Sequence, residues 1–276
     1  MDDQVLSPKT YTRPAKAEED LTNISHLIRV CCHAIWTGGP SNGADEHEWL
    51  IEPFQQGETP TFTAHIKMGL KALSEEPRSL LVFSGAATKR DAQLSEAQSY
   101  LNLARANAYF NLPLPSPCTH ITTDPHALDS YQNLLFPILR HRRLTHRYPW
   151  HITLVSHAFK RRRFLDLHCA AIRWLVARVT FLGLDPPEEV TSRESLMKGE
   201  ERRGWGVWRW DLYGVGEVLR GKRVGRDCWG TGGVEGLLND MGGDMELEEM
   251  RGLLEWEGGG SGVEVYQGRL PWVEDM

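Results

Sequence analysis

The sequence predicts an α/β fold built on an open, mostly parallel sheet with helices on both faces, followed by a C-terminal extension rich in glycine and tryptophan. A short, wholly apolar run at residues 80–83 and a mostly apolar run at residues 152–155 are typical of central parallel strands that are buried on both faces. Helix-period patterns follow these runs, so strand and helix candidates alternate along the chain. With 276 residues, of which 41% are hydrophobic, the chain is long enough to build such a core.

From residue 80 to residue 182 the predicted elements follow one another in a β-α-β-α-β-α-β order, for which right-handed crossovers are expected. The strand candidates are residues 24–32, 80–83, 120–122, 152–155 and 179–182, and the helix candidates begin near Phe62, Ser95, Asp129 or Ser130, and Lys160. Ser95 and Gln98 have the S-x-x-Q spacing of a capping box, which marks the start of a helix. Pro137 is expected to kink the third helix or to end it early.

Composition divides the chain into four predicted segments. They are a flexible N-terminal arm (1–22), the α/β domain (23–190), a flap packed on that domain (191–235) and an acidic, glycine-rich, largely flexible tail (236–276). Prolines and mixed charges mark the arm, whereas the tryptophans at positions 205, 208, 210 and 229 mark the flap. Within the tail, residues 241–256 have the apolar spacing of one amphipathic helix.

The overall composition argues against several classes of function. A net charge of −6 gives no general attraction to nucleic acid or anionic lipid, so we expect neither nucleic acid nor membrane as a partner. The first twenty residues lack the apolar stretch of a signal peptide, and the five cysteines include no C-x-x-C pair. We therefore expect a soluble cytoplasmic protein with reduced thiols. The eleven histidines show neither H-x-x-x-H nor H-E-x-x-H spacing, so no metal site is predicted.

Polar and ionisable side chains cluster where the predicted strands end and the following helices begin. Because the carboxyl ends of parallel strands meet at one edge of a sheet, where open α/β folds bind ligands, these clusters are expected to share one site. The candidate ligand-binding residues are Ser84, Gly85, Glu96, Asp129, Asn133, Ser156, His157, Lys160 and Arg163.

The residue types in these clusters favour recognition of an anion. Arg163 can form a bidentate contact with phosphate or carboxylate. Basic residues at the start of a helix oppose the helix dipole, and this free-energy cost suggests that they have a role in binding an anion. The amide of Asn133 can both donate and accept hydrogen bonds. Asp129 is most simply a helix cap. Ser156 and His157 are neighbours at a strand end, so they point opposite ways and do not form a nucleophile and base pair.

Four motifs in this order resemble the YdcF-like family, also called the domain of unknown function 218, and look most like its fungal cytoplasmic branch. They are a strand ending in Ser-Gly, a helix opened by Ser-Glu-Ala, the pattern Ala-x-Asp-Ser-Tyr-x-Asn, and Ser-x-x-Phe-Lys-x-x-Arg after a strand. They occupy residues 84–85, 95–97, 127–133 and 156–163.

The resemblance implies a Rossmann-like sheet and a polar site built by Glu96, Asn133, Ser156 and Arg163, and it implies little about chemistry. The sequence departs from the pattern at Ala86, where a second glycine is usual. It also departs at Lys160, where bacterial relatives have histidine, so a histidine-dependent reaction is not expected at that position.

These observations leave three hypotheses about function. The first is a protein that binds a small anionic, nucleotide-like ligand, with S-adenosylmethionine or another nucleotide-like molecule compatible with the site. The second is a hydrolase or transferase acting on a phosphorylated or glycosylated metabolite, with Glu96 as general base. That role requires a raised carboxyl pKa, whereas the cations near Glu96 are expected to lower it. The third is a non-catalytic scaffold that docks a protein partner through its acidic tail.

Overall fold

The computed structural model describes residues 21–115, 118–241 and 245–274. The predicted arm, 1–22, lies outside the described residues except for its last two positions. The described residues form seven strands: β1 (His26–Cys31), β2 (Ile35–Trp36), β3 (Trp49–Leu50), β4 (Ser79–Ser84), β5 (Ile121–Asp124), β6 (His151–Ser156) and β7 (Val179–Gly183). Strands β2 and β3 pair as a small antiparallel ribbon in the loop after β1.

The other five strands form one parallel sheet in the order β5-β4-β1-β6-β7. From β1 the chain moves outward through β4 to β5, and it then returns to β6 on the other side of β1. The winding direction therefore reverses between β1 and β6, and at such a reversal the carboxyl ends of the strands leave a crevice. The predicted α/β fold with an open parallel sheet is confirmed.

Helices cover both faces of the sheet. They are α1 (Thr59–Glu75), α2 (Glu96–Ala106), α3 (Gln132–Thr145) and α4 (Cys169–Ala171), the last preceded by a π-helical segment (Arg163–His168), and then α5 (Arg193–Arg203), α6 (Trp205–Trp208), α7 (Glu217–Arg226), α8 (Gly233–Asp240), α9 (Met245–Leu254) and α10 (Pro271–Glu274). Helices α1 and α2 pack on one face of the sheet, and α3 with the C-terminal helices packs on the other. Within the described residues, none of these helices combines the length and apolar character needed to cross a bilayer.

The local signals at two helices have different outcomes. The Ser95 side chain accepts a hydrogen bond from the Gln98 N–H at 3.0 Å, so the predicted cap of α2 is confirmed. The early end predicted for α3 is wrong, because α3 continues past Pro137 to Thr145. Proline lacks the N–H that would bond the Asn133 carbonyl four residues earlier. The buried Arg29 guanidinium of β1 donates to this carbonyl instead, so the carbonyl is satisfied from outside the helix.

The C-terminal part of the chain is packed more firmly than the composition suggests. The tail 236–276 is predicted to be largely flexible, yet its described part buries six apolar side chains in the core: Leu237, Met241, Met250, Leu253, Leu270 and Trp272. The Trp272 indole N–H also donates to the Ile172 carbonyl at 2.8 Å. The flexibility of the rest of the tail stays a prediction, whereas these six residues pack on the domain. Their apolar positions at helical spacing outweigh the acidic and glycine-rich composition around them.

Candidate functional site

A cavity of about 220 Å³ lies at the carboxyl edge of the sheet. Its walls come from the ends of β1 and β6, from the starts of α2 and α3, and from helices of the C-terminal extension. The cavity sits where the winding direction of the sheet reverses, as expected for a ligand site in an open α/β fold.

Six of the nine candidate residues line this cavity: Glu96, Asp129, Asn133, Ser156, Lys160 and Arg163. The structure therefore brings together side chains from three separate strand ends. Ser84, Gly85 and His157 do not line the cavity, and their contact with a ligand stays a prediction.

Ser84 and Gly85 lie beside the cavity and contact residues next to it or in its wall. The Ser84 hydroxyl is buried and donates to Asp124 Oδ2 at 2.6 Å, which ties β4 to β5. A Cβ atom at Gly85 would lie 2.8 Å from Glu96 Oε2 and 3.1 Å from the Cys32 Cβ, so any other residue would force these side chains to shift. Gly85 therefore makes room for the Glu96 carboxylate.

His157 turns away from the cavity because neighbouring residues at a strand end point opposite ways. Its Nδ1 lies 3.1 Å from His33 Nε2, and its Nε2 lies 3.8 Å from Glu58 Oε2. The imidazole is buried among other rings, and burial holds its pKa well below the usual value. His157 is therefore a neutral group behind the site.

Glu96 differs from expectation in the direction of its pKa. Burial raises the pKa of this carboxyl, and this effect exceeds the opposing hydrogen bond from Thr88 and the attraction of Arg226, Lys89 and Lys160. The Thr88 hydroxyl donates to Oε1 at 2.7 Å. The expected lowering by cations is wrong, since desolvation of a carboxylate outweighs charges that do not form a close ion pair with it.

Asp129 and Asn133 differ in how many of their side-chain polar atoms are already hydrogen-bonded within the protein. Asp129 Oδ1 accepts the Gln132 N–H at 2.9 Å, and its Oδ2 pairs with Arg223. Both carboxylate oxygens are thus engaged, as expected for a capping residue. The Asn133 amide donates to the Asp129 carbonyl at 2.9 Å, whereas its buried Oδ1 has no hydrogen-bond partner among the described residues. Asn133 therefore keeps an acceptor for a ligand.

Ser156 and Lys160 are the other groups with unused hydrogen-bonding capacity. The buried Ser156 hydroxyl has no hydrogen-bond partner in the described part of the chain. The ammonium of Lys160 is half-buried, and no described carboxylate forms an ion pair with it. Burial and then repulsion by Arg163 lower the Lys160 pKa to about 8. At pH 7 this lysine is still mostly protonated, so it is a cation that lacks a counter-charge.

Arg163 is only partly available to a ligand. Its Nε lies 3.1 Å from Glu200 Oε1, and both side chains are buried. Arg161 and Arg162 belong to the same basic run but are exposed and do not line the cavity. Arg162 lies 3.3 Å from Asp166 on the outer surface. The run Lys160–Arg163 therefore contributes two of its four cations to the cavity.

The sequence patterns did not reveal the cations that complete the cavity. Among the lining residues six are basic, namely Lys89, Lys160, Arg163, Arg203, Lys222 and Arg226, and three are acidic, namely Glu52, Glu96 and Asp129. Lys222 and Arg226 come from α7, and Arg226 is fixed by donation to the Leu128 carbonyl at 2.8 Å. The basic spacing along α7 was visible in the sequence, but no local signal connected this helix to a sheet edge.

A serine and a histidine that no sequence pattern connects also lie together at the cavity. The Ser130 hydroxyl, which lines the cavity, lies 2.8 Å from Nε2 of the buried His168. The other ring nitrogen of His168 has no partner among the residues that the structure describes. The two residues are far apart in the chain and fit no short motif, so only the fold shows their contact.

The chain is similar to a protein of Saccharomyces cerevisiae named "Uncharacterized protein YOR238W". The two are 28% identical over 252 residues, an alignment that covers 73% of this chain and 83% of the yeast protein. No protein-family model matches the chain. No solved structure matches it either. The resemblance to YdcF-like proteins therefore stays a prediction that depends on the four motifs.

Proposed function

We propose that this protein binds a small anionic, nucleotide-like ligand in the cavity at the carboxyl edge of its sheet. The observation that carries the proposal is the Lys160 ammonium, which is half-buried at the cavity wall without a carboxylate partner among the described residues. A desolvated charge is costly unless it is paired. A bound anion would supply the missing charge.

The neighbouring groups fit the same ligand. The Ser156 hydroxyl and Asn133 Oδ1 lack partners among the described residues. The hydroxyl can donate to a phosphate oxygen, whereas the amide oxygen can accept from a sugar hydroxyl or a base N–H. The raised pKa of Glu96 favours its protonated form, which can donate a hydrogen bond to a ligand oxygen. Trp208 supplies an aromatic wall against which a base can pack.

The size and charge of the cavity narrow the ligand class. A volume of about 220 Å³ is smaller than that of the usual small-molecule pocket, about 300–1,000 Å³, so a mononucleotide or a phosphorylated metabolite is favoured over a dinucleotide. S-adenosylmethionine carries a cationic sulfonium, which the basic lining disfavours. We infer a cytoplasmic setting, since Cys31, Cys32 and Cys169 are free buried thiols.

Calorimetric titration with inorganic phosphate, AMP, ADP and glucose 6-phosphate tests the proposal. Lys160→Ala is expected to weaken the tightest of these ligands about 10- to 100-fold, as loss of a charge-assisted hydrogen bond does. The matched control is Arg161→Ala, which removes an exposed cation from the same run and should change affinity less than about twofold. Absence of binding across the panel, together with no co-purified small molecule in native mass spectrometry, would refute the proposal.

The second candidate is a hydrolase or transferase that acts on a phosphorylated or glycosylated metabolite. The observation in its favour is the 2.8 Å contact between Ser130 Oγ and His168 Nε2, the arrangement of a nucleophile and its base. It ranks second because burial and the nearby Arg163 hold the pKa of His168 well below its usual value, which makes the imidazole a weak base.

Covalent labelling with a fluorophosphonate tests this candidate. Labelling that disappears in Ser130→Ala and persists in Ser195→Ala, an exposed serine outside the cavity, would favour it. Equal labelling of both variants, or none of the unaltered protein, would count against it.

The scaffold hypothesis receives no support from the acidic helix. Met250 and Leu253 on α9 are buried in the core, so the apolar side chains that a docked partner would need are already covered.

A further inference from the structure

Three histidines from separate parts of the chain converge behind the cavity. His33 follows β1, His65 lies on α1 and His157 follows β6, and one ring nitrogen of each lies within 4.8 Å of the others. His65 and His157 are buried, whereas His33 is half-buried and also lines the cavity. The cluster thus lies between the protein interior and the candidate ligand site.

The distances fit a tetrahedral metal ion. Zinc binds imidazole nitrogen at about 2.0–2.1 Å, so two ligand atoms on one tetrahedral zinc ion are about 3.3 Å apart. His33 Nε2 and His157 Nδ1 are 3.1 Å apart. The ligand nitrogen of His65 lies within 4.8 Å of those of the other two histidines.

Hydrogen bonding prepares His65 to act as a ligand. Its Nε2 lies 2.9 Å from the Leu184 carbonyl, which can only accept, so Nε2 carries the proton and Nδ1 keeps its lone pair. This Nδ1 is buried and has no hydrogen-bond partner among the described residues. A carbonyl that fixes the tautomer while the other nitrogen stays free is the usual outer contact of a metal-bound histidine.

The charges around the cluster come from Glu58 and Lys160. Glu58 is buried, with Oε2 3.8 Å from His157 Nε2, the ring nitrogen that is not bonded to His33, so it can serve as a counter-charge and outer contact of His157. Lys160 lies close enough for its charge to act on all three imidazoles, and its repulsion opposes a bound cation.

We propose that His33, His65 and His157 form a binding site for a divalent transition metal, with zinc the best match to three imidazoles and a nearby carboxylate. The convergence of three imidazole nitrogens and the buried, unpartnered Nδ1 of His65, rather than any sequence spacing, carry this inference. Because His33 also lines the cavity, an ion held here would face the compartment in which an anionic ligand is proposed. The metal site does not depend on that ligand.

Metal analysis of the full chain, purified without chelator, followed by titration with zinc and cobalt(II) tests the proposal. We expect one zinc per chain and, with cobalt, the intense visible absorption of a tetrahedral site. His33→Ala should weaken zinc binding at least about 100-fold, since even outer contacts of metal ligands contribute 10- to 100-fold. The matched control is His151→Ala, which removes a partly buried histidine at the opposite end of β6 and should leave zinc binding unchanged.

Far-UV circular dichroism of the metal-free proteins separates loss of the site from loss of the fold. His157→Gln provides a second variant that keeps a polar side chain of similar reach. The proposal would be overturned if the His33→Ala and His157→Gln proteins are folded and bind zinc as tightly as the His151→Ala control. Unaltered protein that binds only substoichiometric zinc, without tetrahedral cobalt absorption, would do the same.

Discussion

Two glutamates in neighbouring parts of the molecule, Glu48 and Glu96, show opposite responses to their surroundings. The Glu48 carboxylate accepts hydrogen bonds from the Trp36 indole at 2.9 Å, the Ser41 N–H at 2.7 Å and the Gly43 N–H at 2.8 Å. Desolvation alone would raise its pKa, but these donors outweigh it and lower the pKa to about 2.

Glu96 has a single hydroxyl donor, from Thr88, and burial raises its pKa. The difference lies in the number of donors and not in the residue type. Glu48 organises the loop after β1, where a Cβ at Gly39 would lie 2.2 Å from its Oε1. Glycines of that loop therefore leave room for the Glu48 carboxylate and donate a hydrogen bond to it. Glu96, in contrast, has few donors within the protein, in keeping with its proposed role in ligand binding.

The largest expected effect is on the stability of Glu48→Gln. An amide in place of the carboxylate turns an NH₂ group toward N–H donors, so at least one donor loses its partner. We expect the greatest loss of unfolding free energy among the variants described here. Glu96→Gln should change stability by less than about 0.5 kcal/mol, since it removes a poorly compensated charge. Urea denaturation at pH 7 measures the unfolding free energy of both variants. Equal losses would contradict the difference between the two glutamates.

Gly85→Ala is expected to have an intermediate effect. The new methyl group meets Glu96 Oε2 at 2.8 Å and the Cys32 Cβ at 3.1 Å, so the site must shift at a cost of roughly 1–3 kcal/mol. Gly221→Ala on α7 is the matched control, because nothing lies within 4 Å of its Cβ. There the change should stabilise by roughly 0.5–1 kcal/mol through helix propensity. Thermal unfolding of the two variants would show opposite shifts, and shifts of the same sign would argue against the close approach.

The smallest expected effect is the opposite pH dependence of the two carboxyls. The pKa of Glu48 is lowered on folding to about 2 from 4.5, so its stabilisation is present above pH 4.5 and is lost as the pH falls toward 2. The pKa of Glu96 is raised on folding, so its contribution is greatest below pH 4.5 and decreases as the pH rises through the folded pKa.

Denaturation curves between pH 2 and pH 7 measure these slopes. Glu48→Gln should reduce the loss of stability on acidification, and Glu96→Gln should reduce the loss as the pH rises above 4.5. The same pH dependence in both variants would remove the distinction between the two carboxyls.

The sequence was sufficient for features that depend on neighbours in the chain. The S-x-x-Q spacing located the Ser95 cap, the apolar runs located β4 and β6, and the polar residues after them located the cavity. Each of these depends on a local pattern with a known period.

The remaining features depend on tertiary contacts. The continuation of α3 past Pro137 requires Arg29 from another element, and the direction of the Glu96 pKa depends on how deeply the carboxyl is buried. The histidine cluster joins a loop, a helix and a strand end, so no spacing rule can detect it. Burial and convergence of this kind are properties of the folded chain and leave no periodic trace in the sequence.

Helix α7, which lies beyond position 190, supplies side chains to the cavity at the carboxyl edge of the sheet. Arg223 holds Asp129 at the start of α3, while Lys222 and Arg226 line the cavity from the same helix. A shortened protein that ends after β7 would have an open groove with fewer positive charges and an unanchored α3 start. Recombinant versions for ligand screening should therefore retain the whole region through α10, since a trimmed Rossmann-like core would present a different surface to every compound tested.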